Sequence, residues 1–270
     1  MNKQIHFICS FAIVFNLLIT ATSGYAQDTD RDFTPRSGQS GKDVVWVPTP
    51  QMLVDTMLGM AKVTSADYVI DLGSGDGRLV ITAAKRGATA LGIEYNPNMV
   101  ELARRSALEE GVSDKATFAQ ADIFESDFSK ATVLTLFLLS DLNLKLRPVI
   151  LDMKPGTRIV SNTFSMSDWE PDQTVRLNEP TSWTTAHLWI VPAKVEGIWR
   201  LNDGQINFTQ DFQKITGTLT LGNKEMKLIG KLDGDKISFS SEGIVYTGTV
   251  KGNVMSGTRT GDSAWEASRR

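Results

Sequence analysis

Four carboxylates and three glycines fall at spacings that could do chemistry. The stretch Asp71-Leu72-Gly73-Ser74-Gly75-Asp76-Gly77 sets two acids around a glycine turn. Glycine accepts unusual dihedrals and carries no side chain, so a ligand can approach bare backbone there. Two further acids, Glu94 and Asp122, each follow a short apolar run, 88–93 and 116–119.

The charges narrow the ligand. A dinucleotide turn reads G-x-G-x-x-G with a pyrophosphate on the helix start, but here the third glycine, Gly77, comes one place early and Arg78 stands in its slot. Asp76 inside the turn would repel a pyrophosphate. A ligand bringing its own ammonium suits two acids better, and S-adenosyl-L-methionine has an ammonium, a carboxylate and a sulfonium. A dinucleotide and a purely structural tight turn stay open as alternatives.

These residues need a scaffold. Tyr68-Val69-Ile70 reads as a strand and Leu79 to Ala84 as a helix opening straight out of the turn, with unpaired N–H groups expected at its start. A strand over 88–93 ends at Glu94, and Asn96 and Pro97 begin an amphipathic helix that stops at Gly111. Residues 116–119 form a short strand, and 132–139 and 158–164 read as strands, the former buried on both faces. Strands alternating with helices predict a doubly wound sheet, whose ligands sit beyond the C-terminal strand ends. Asp71, Glu94 and Asp122 occupy three such ends in succession. There Glu94 can accept both hydroxyls of a ribose, and Asp122 the exocyclic amine of adenine, with Ile123 and Phe124 beside the ring. Singly, each acid would read as a solvated loop carboxylate.

Other candidates surround these. In Val47-Pro48-Thr49-Pro50, Thr49 either caps the helix that Pro50 starts or offers a hydroxyl at the mouth of the site. Beyond the fourth strand, Leu136 to Leu139 would desolvate a nucleophile, and Ser140, Asp141, Asn143, Asn162, Thr163 and Trp169 are acceptor-side candidates. Ser140 is alternatively a helix cap, and Trp169 a packing residue. Pro148 should bend or restart its helix.

The ends and the composition set bounds. Residues 1–26 carry Lys3, an apolar run over 5–19 and small residues up to Ala26, the order of a secretory signal. We expect an exported, periplasmic protein without a stable span after cleavage, or alternatively one held by an uncleaved anchor. Residues 27–42 read as a flexible leader. Cys9 is the only cysteine, so the mature chain has no disulfide and no thiolate. His187, the only histidine outside the signal, looks like a structural strand residue, and no metal is expected. The net charge of −3 gives no footprint for nucleic acid, and no Asn/Asp-Pro-Pro-Tyr motif follows the fourth strand, so nucleic acid is not expected as a substrate. From 194 to 270 short alternating segments and Asn-Gly or Asp-Gly turns replace the helical pattern. They predict a small antiparallel meander or barrel with Thr-Gly-Thr hairpin units, whose apolar stripe forms a core or, in part, a partner groove.

The run from Asp43 to Pro192 resembles class I S-adenosylmethionine-dependent methyltransferases, within them the group of lysine methyltransferases acting on the ATP synthase c-subunit and the adenine nucleotide translocase, with bacterial relatives. The carriers are Val47-Pro48-Thr49-Pro50, Asp71 to Arg78, Gly92 to Pro97, Ala121 to Phe124, Lys154 to Arg158 and Trp169-Glu170-Pro171. The resemblance implies a Rossmann-like seven-stranded sheet over a domain at 43–193, mostly parallel with an antiparallel last strand. It implies that the turn from Gly73 to Gly77 and Asp71 hold the methionine portion, Glu94 the ribose, and Asp122 with Ile123 the adenine. The acceptor would be a protein lysine amine, with Thr49, Ser140, Asp141 and Trp169 on the reacting side. The alternatives are a small-molecule methyltransferase, with a metal between Asp141 and Asn162 in the oxygen-methylating case, and an exported binding protein that keeps the fold without catalysis.

Overall fold

A computed structural model of the chain describes residues 33–178 and 182–269. The stretch read as a signal sequence and the first part of the leader lie outside the described residues.

The first domain is a seven-stranded sheet in the order β3-β2-β1-β4-β5-β7-β6. Its strands are β1 (Tyr68–Leu72), β2 (Thr89–Glu94), β3 (Ala116–Gln120), β4 (Val133–Leu136), β5 (Arg158–Asn162), β6 (Gln173–Arg176) and β7 (Thr185–Ile190). Strands β1 to β5 pair in parallel, and β7 runs antiparallel between β5 and β6, which is the mostly parallel sheet with a reversed strand that the family resemblance implies. Helices α1 (Gln51–Met60), α2 (Arg78–Lys85), α3 (Pro97–Glu109) and α4 (Ser140–Leu151) flank it.

Alternation along the strands splits the core. Val69, Val133 and Val160 join the cluster under α1 to α3, while Ile70, Leu134, Leu136 and Ile159 join the one that includes Leu146 and Ile150 of α4. Both faces of β4 are buried, as the continuous apolar run predicts, but the strand ends at Leu136 and not at Leu139. α4 continues through Pro148 as one helix, with Pro148 on its exposed side, where the carbonyl left without a partner can face water. His187 pairs with Thr174 across β6 and β7 at 2.9 Å, and burial holds its imidazole below the usual range.

The second domain is a closed eight-stranded barrel. Its strands are β8 (Gly197–Arg200), β9 (Gly204–Asp211), β10 (Lys214–Leu221), β11 (Lys224–Asp233), β12 (Lys236–Ser241), β13 (Ile244–Lys251), β14 (Val254–Arg259) and β15 (Ser263–Ser268). Each pairs with its neighbour, and β15 meets β8 at Ser268 and Arg200, so no open edge remains. The alternating apolar residues point inward and form a filled core around Trp199, Phe208, Phe239, Tyr246 and Trp265. The repeated units, Thr216-Gly217-Thr218, Thr247-Gly248-Thr249 and Ser256-Gly257-Thr258, lie in mid-strand in β10, β13 and β14. At Gly248 a side chain would come within 2.9 Å of the Trp265 ring.

Candidate functional site

The site is built on the turn leaving β1. Gly73, Gly75 and Gly77 have φ of 78°, 54° and 80°, the left-handed region that favours glycine. Gly77 also lets α2 pack, because a Cβ there would stand 2.7 Å from the Phe118 ring and 2.8 Å from Ala103. Most of the turn's N–H groups are used within the chain, while those of Asp76, Leu79 and Val80 stay free among the described residues, as expected for a helix start. Gly73 and Ser74 donate to Ile93 O, Gly77 to Ser74 O, Gly75 to Glu94 Oε2 at 3.0 Å and Arg78 to Asp76 Oδ1 at 3.3 Å. With five of its donors engaged and the Asp76 carboxylate facing the cavity, the turn is a poor cradle for a polyphosphate.

The acids then take distinct states. Asp71 stands opposite Thr135 in the register of β1 and β4, is 6% exposed, and accepts from the Thr135 hydroxyl at 2.7 Å. Burial pushes its carboxyl up to about 7, against the Thr135 hydrogen bond and with help from the nearby Glu94 and Asp76 charges. Glu94 is held at both oxygens, by Gly75 N and by Asn96 N at 2.8 Å. Asp76 receives Nε and Nη2 of Arg78 at 2.6 to 3.1 Å, a fork geometry that neutralises it. Asp122 accepts from Phe124 N at 2.9 Å and pairs with the Lys42 ammonium, and these two hydrogen bonds, the Lys42 one first, hold its carboxyl below the usual range.

These residues line one cavity of about 440 Å³, within the roughly 300–1,000 Å³ of small-molecule sites. Asp71, Gly73, Ser74, Gly75, Asp76, Glu94, Asp122 and Ile123 all face it, while Gly77 lies behind as a packing residue. The Ser74 hydroxyl is buried without a hydrogen-bond partner among the described residues and is turned toward Gly92.

The chain before α1 forms the cavity's wall. Gly38 N donates to Trp46 O at 2.8 Å, Trp46 N to Gln39 O at 2.9 Å, and Ser40 bridges Val45. The leader read as flexible up to Lys42 is therefore hydrogen-bonded from Arg36 onward. A side chain at Gly75 would meet Trp46 Nε1 at 2.5 Å, so the indole lies directly over the turn. Thr49 is not the helix cap. Pro50 holds that place without a side-chain bond, and Thr49 Oγ1 instead accepts from Asn162 Nδ2 at 3.2 Å. Arg78 Nη1 donates to Thr49 O at 2.8 Å. At the other end Phe137, Phe164 and Trp183 pack with ring centroids 5.5 to 6.1 Å apart, beside Leu138 and Leu139.

None of the six acceptor-side candidates lines the cavity, and Asn143 is buried with its amide donating to Phe164 O at 3.2 Å and Ser165 O at 3.3 Å. Ser140 is half-buried and Asp141 exposed on the first turn of α4, and neither lines the cavity, because β4 ends early and Phe137 to Leu139 take the rim. Asp141 therefore does not face Asn162, which is buried and bound to Thr49 and Thr163. Trp169 is fully buried between the domains. It stacks on Phe212 at 5.7 Å, donates to Gln213 Oε1 at 3.0 Å, and its carbonyl accepts from Trp189 at 2.7 Å. It pins the barrel to the sheet.

Arg78, Lys42, Trp46, Phe164 and Trp183 carry geometry that the sequence reading did not assign to them. Arg78 had a signal, an acid two residues before it in the same turn. Trp183 had none, since it lies in a loop with φ of 66°.

Known proteins resemble this part of the chain. The family described as the ANTKMT methyltransferase domain matches residues 71–173. A protein-lysine N-methyltransferase of Saccharolobus islandicus is 39% identical over 151 residues, 55% of this chain and 94% of the relative. The lysine N-methyltransferase of the ATP synthase c-subunit in Homo sapiens is 32% identical over 139 residues, 51% of this chain and 59% of the relative. A solved structure described as an RNA methyltransferase from Salinibacter ruber in complex with S-adenosyl-L-homocysteine is 47% identical with a TM-score of 0.53, covering 55% of this chain and 96% of that one.

Proposed function

The chain belongs to the family of S-adenosylmethionine-dependent methyltransferases that the ANTKMT domain describes, and from that premise we propose that it methylates lysine side chains of a protein substrate. The observation that carries this reading is a single cavity with acids at one end and an apolar, aromatic rim at the other. The cofactor, when bound, supplies an electrophilic methyl on its sulfonium. The protein's share is to hold both partners in line and keep water out.

On this reading Glu94, fixed by the N–H groups of Gly75 and Asn96, accepts from the ribose hydroxyls. Asp122 accepts from the adenine amine, and Asp71 faces the cationic amino-acid end. The rim of Phe137, Leu138, Leu139, Phe164 and Trp183 serves the acceptor. A lysine amine titrates near 10.4 in water and attacks only when neutral, and an apolar channel lowers that value by penalising the ammonium. A lysine stem of methylenes also suits an apolar slot. The lysine acceptor is supported by the Saccharolobus relative, a protein-lysine N-methyltransferase.

The Salinibacter relative, described as an RNA methyltransferase, favours a second reading, RNA as acceptor. Incubating the protein and methyl-labelled S-adenosylmethionine with cell extract, then treating with protease or ribonuclease, separates the two. We expect the label to be released by protease and recovered on lysine. Release by ribonuclease would establish the second reading, and no macromolecular label would sink both.

A further inference from the structure

The bound amino-acid end carries a carboxylate as well as an ammonium, and the anion needs donors. The glycine turn can supply only part of them, since the N–H groups of Gly73, Ser74, Gly75, Gly77 and Arg78 are engaged within the chain, and those of Asp76, Leu79 and Val80 alone are without a partner among the described residues of this turn and helix start. The other charged groups facing the cavity do not favour an anion either. Asp71 and Glu94 are acids, and the cations of Arg78 and Lys42 are matched by Asp76 and Asp122.

Thr49 is different. It is 8% exposed and lines the cavity. Asn162, fully buried, presents its amide nitrogen to Thr49 Oγ1 at 3.2 Å while its own oxygen accepts from the Thr163 hydroxyl at 2.9 Å. An amide nitrogen only donates, so the Thr49 oxygen must accept there. Its O–H proton is left without an acceptor among the described residues, beside the cavity. Arg78, bonded to the Thr49 carbonyl, fixes the same residue from the other side at 2.8 Å.

We infer that the Thr49 hydroxyl, oriented by Asn162, donates to the α-carboxylate of the bound S-adenosyl amino acid. This rests on the methyltransferase reading and makes Thr49 a cofactor-binding residue and Asn162 a positioning residue. A hydrogen bond to a charged group is worth roughly a ten- to hundredfold change in affinity.

The test is calorimetric titration of the full chain with two ligands, S-adenosylhomocysteine and the analogue that lacks only its carboxylate. Wild type should prefer the former. Thr49→Val should weaken S-adenosylhomocysteine by about ten- to hundredfold and leave the analogue within about twofold, so that the preference collapses. Thr49→Ser, which keeps the hydroxyl, should retain the preference, and Asn162→Ala should reduce it in part. The inference is overturned if Thr49→Val weakens both ligands equally or neither, or if Thr49→Ser loses the preference. If wild type binds neither ligand, the methyltransferase reading itself fails.

Discussion

Around the glycine turn the interior holds a carboxylate, Asp71, with one hydroxyl partner, and a serine hydroxyl with none. Inside the barrel the large buried groups are aromatic, and the tryptophan N–H groups reach carbonyls, Trp199 to Val195 at 2.7 Å and Trp265 to Thr247 and Thr258 at 3.1 Å. The glycines differ in the same way. Those of the turn adopt positive φ beside a cavity, whereas Gly248 makes room for the Trp265 ring. The buried side-chain polar atoms without a partner among the described residues, Ser74 Oγ and Asn143 Oδ1, both lie in the sheet domain, the Asp71 carboxylate sits where a cationic ligand would relieve its burial, and the barrel is built for packing. Stability and binding should therefore separate on mutation.

The largest effect is expected in the barrel. Phe239 is 1% exposed and touches Phe208, Tyr246 and Trp265. Phe239→Ala should cost about 3–5 kcal/mol, read by urea unfolding, with the affinity of the folded fraction for S-adenosylhomocysteine unchanged. A parallel loss of affinity would break the comparison. Next comes Gly77→Ala, which meets both left-handed φ and the Phe118 ring. It should lose about 2–3 kcal/mol and, by shifting α2, weaken binding as well.

Asp71→Asn should move the two quantities in opposite directions. It keeps an acceptor for Thr135 and removes a buried charge, so at pH 8 the fold should gain about 1–3 kcal/mol while affinity falls on the order of a hundredfold. Equal losses in both would show Asp71 to be only structural. The sign of its pH dependence follows. Its folded value, about 7, lies above the ordinary 3.8, so its contribution to stability is complete at low pH and declines as pH rises from about 3.8 to about 7. Asp71→Asn should lack that decline in pH-dependent unfolding.

The smallest effect is on binding. A cationic ligand favours the ionised carboxylate, so binding below pH 7 should release a proton. Affinity should then rise with pH and level off above about 7, checked by calorimetry in two buffers of different ionisation enthalpy. Proton uptake instead would mean that Asp71 does not face the ligand's cation.

Much of this was legible in the sequence because it depends on local pattern. The acids at 71, 94 and 122 could be placed at strand ends from alternation alone, and the barrel from two-residue periodicity broken by glycine turns. What was not legible depends on pairings distant in the chain. Trp169 reads equally as a site residue or a packing one until Gln213 and Phe212 are brought to it. Thr49 beside a proline reads equally as a cap or as a site hydroxyl until Asn162 is found against it. The engagement of most of the turn's N–H groups follows from positive dihedrals and from the reach of the Glu94 carboxylate back to Gly75, neither visible in composition. The end of β4 at Leu136 was missed because an apolar run does not distinguish a strand from the rim that follows it.

The cofactor site is tested most directly by titrating the full chain with S-adenosylhomocysteine, comparing wild type with Glu94→Ala. We predict one site per chain in the wild type and loss of detectable binding in Glu94→Ala, with the unfolding transition preserved. Absence of wild-type binding up to millimolar ligand, or undiminished binding by Glu94→Ala, would contradict the assignment of this cavity to the cofactor.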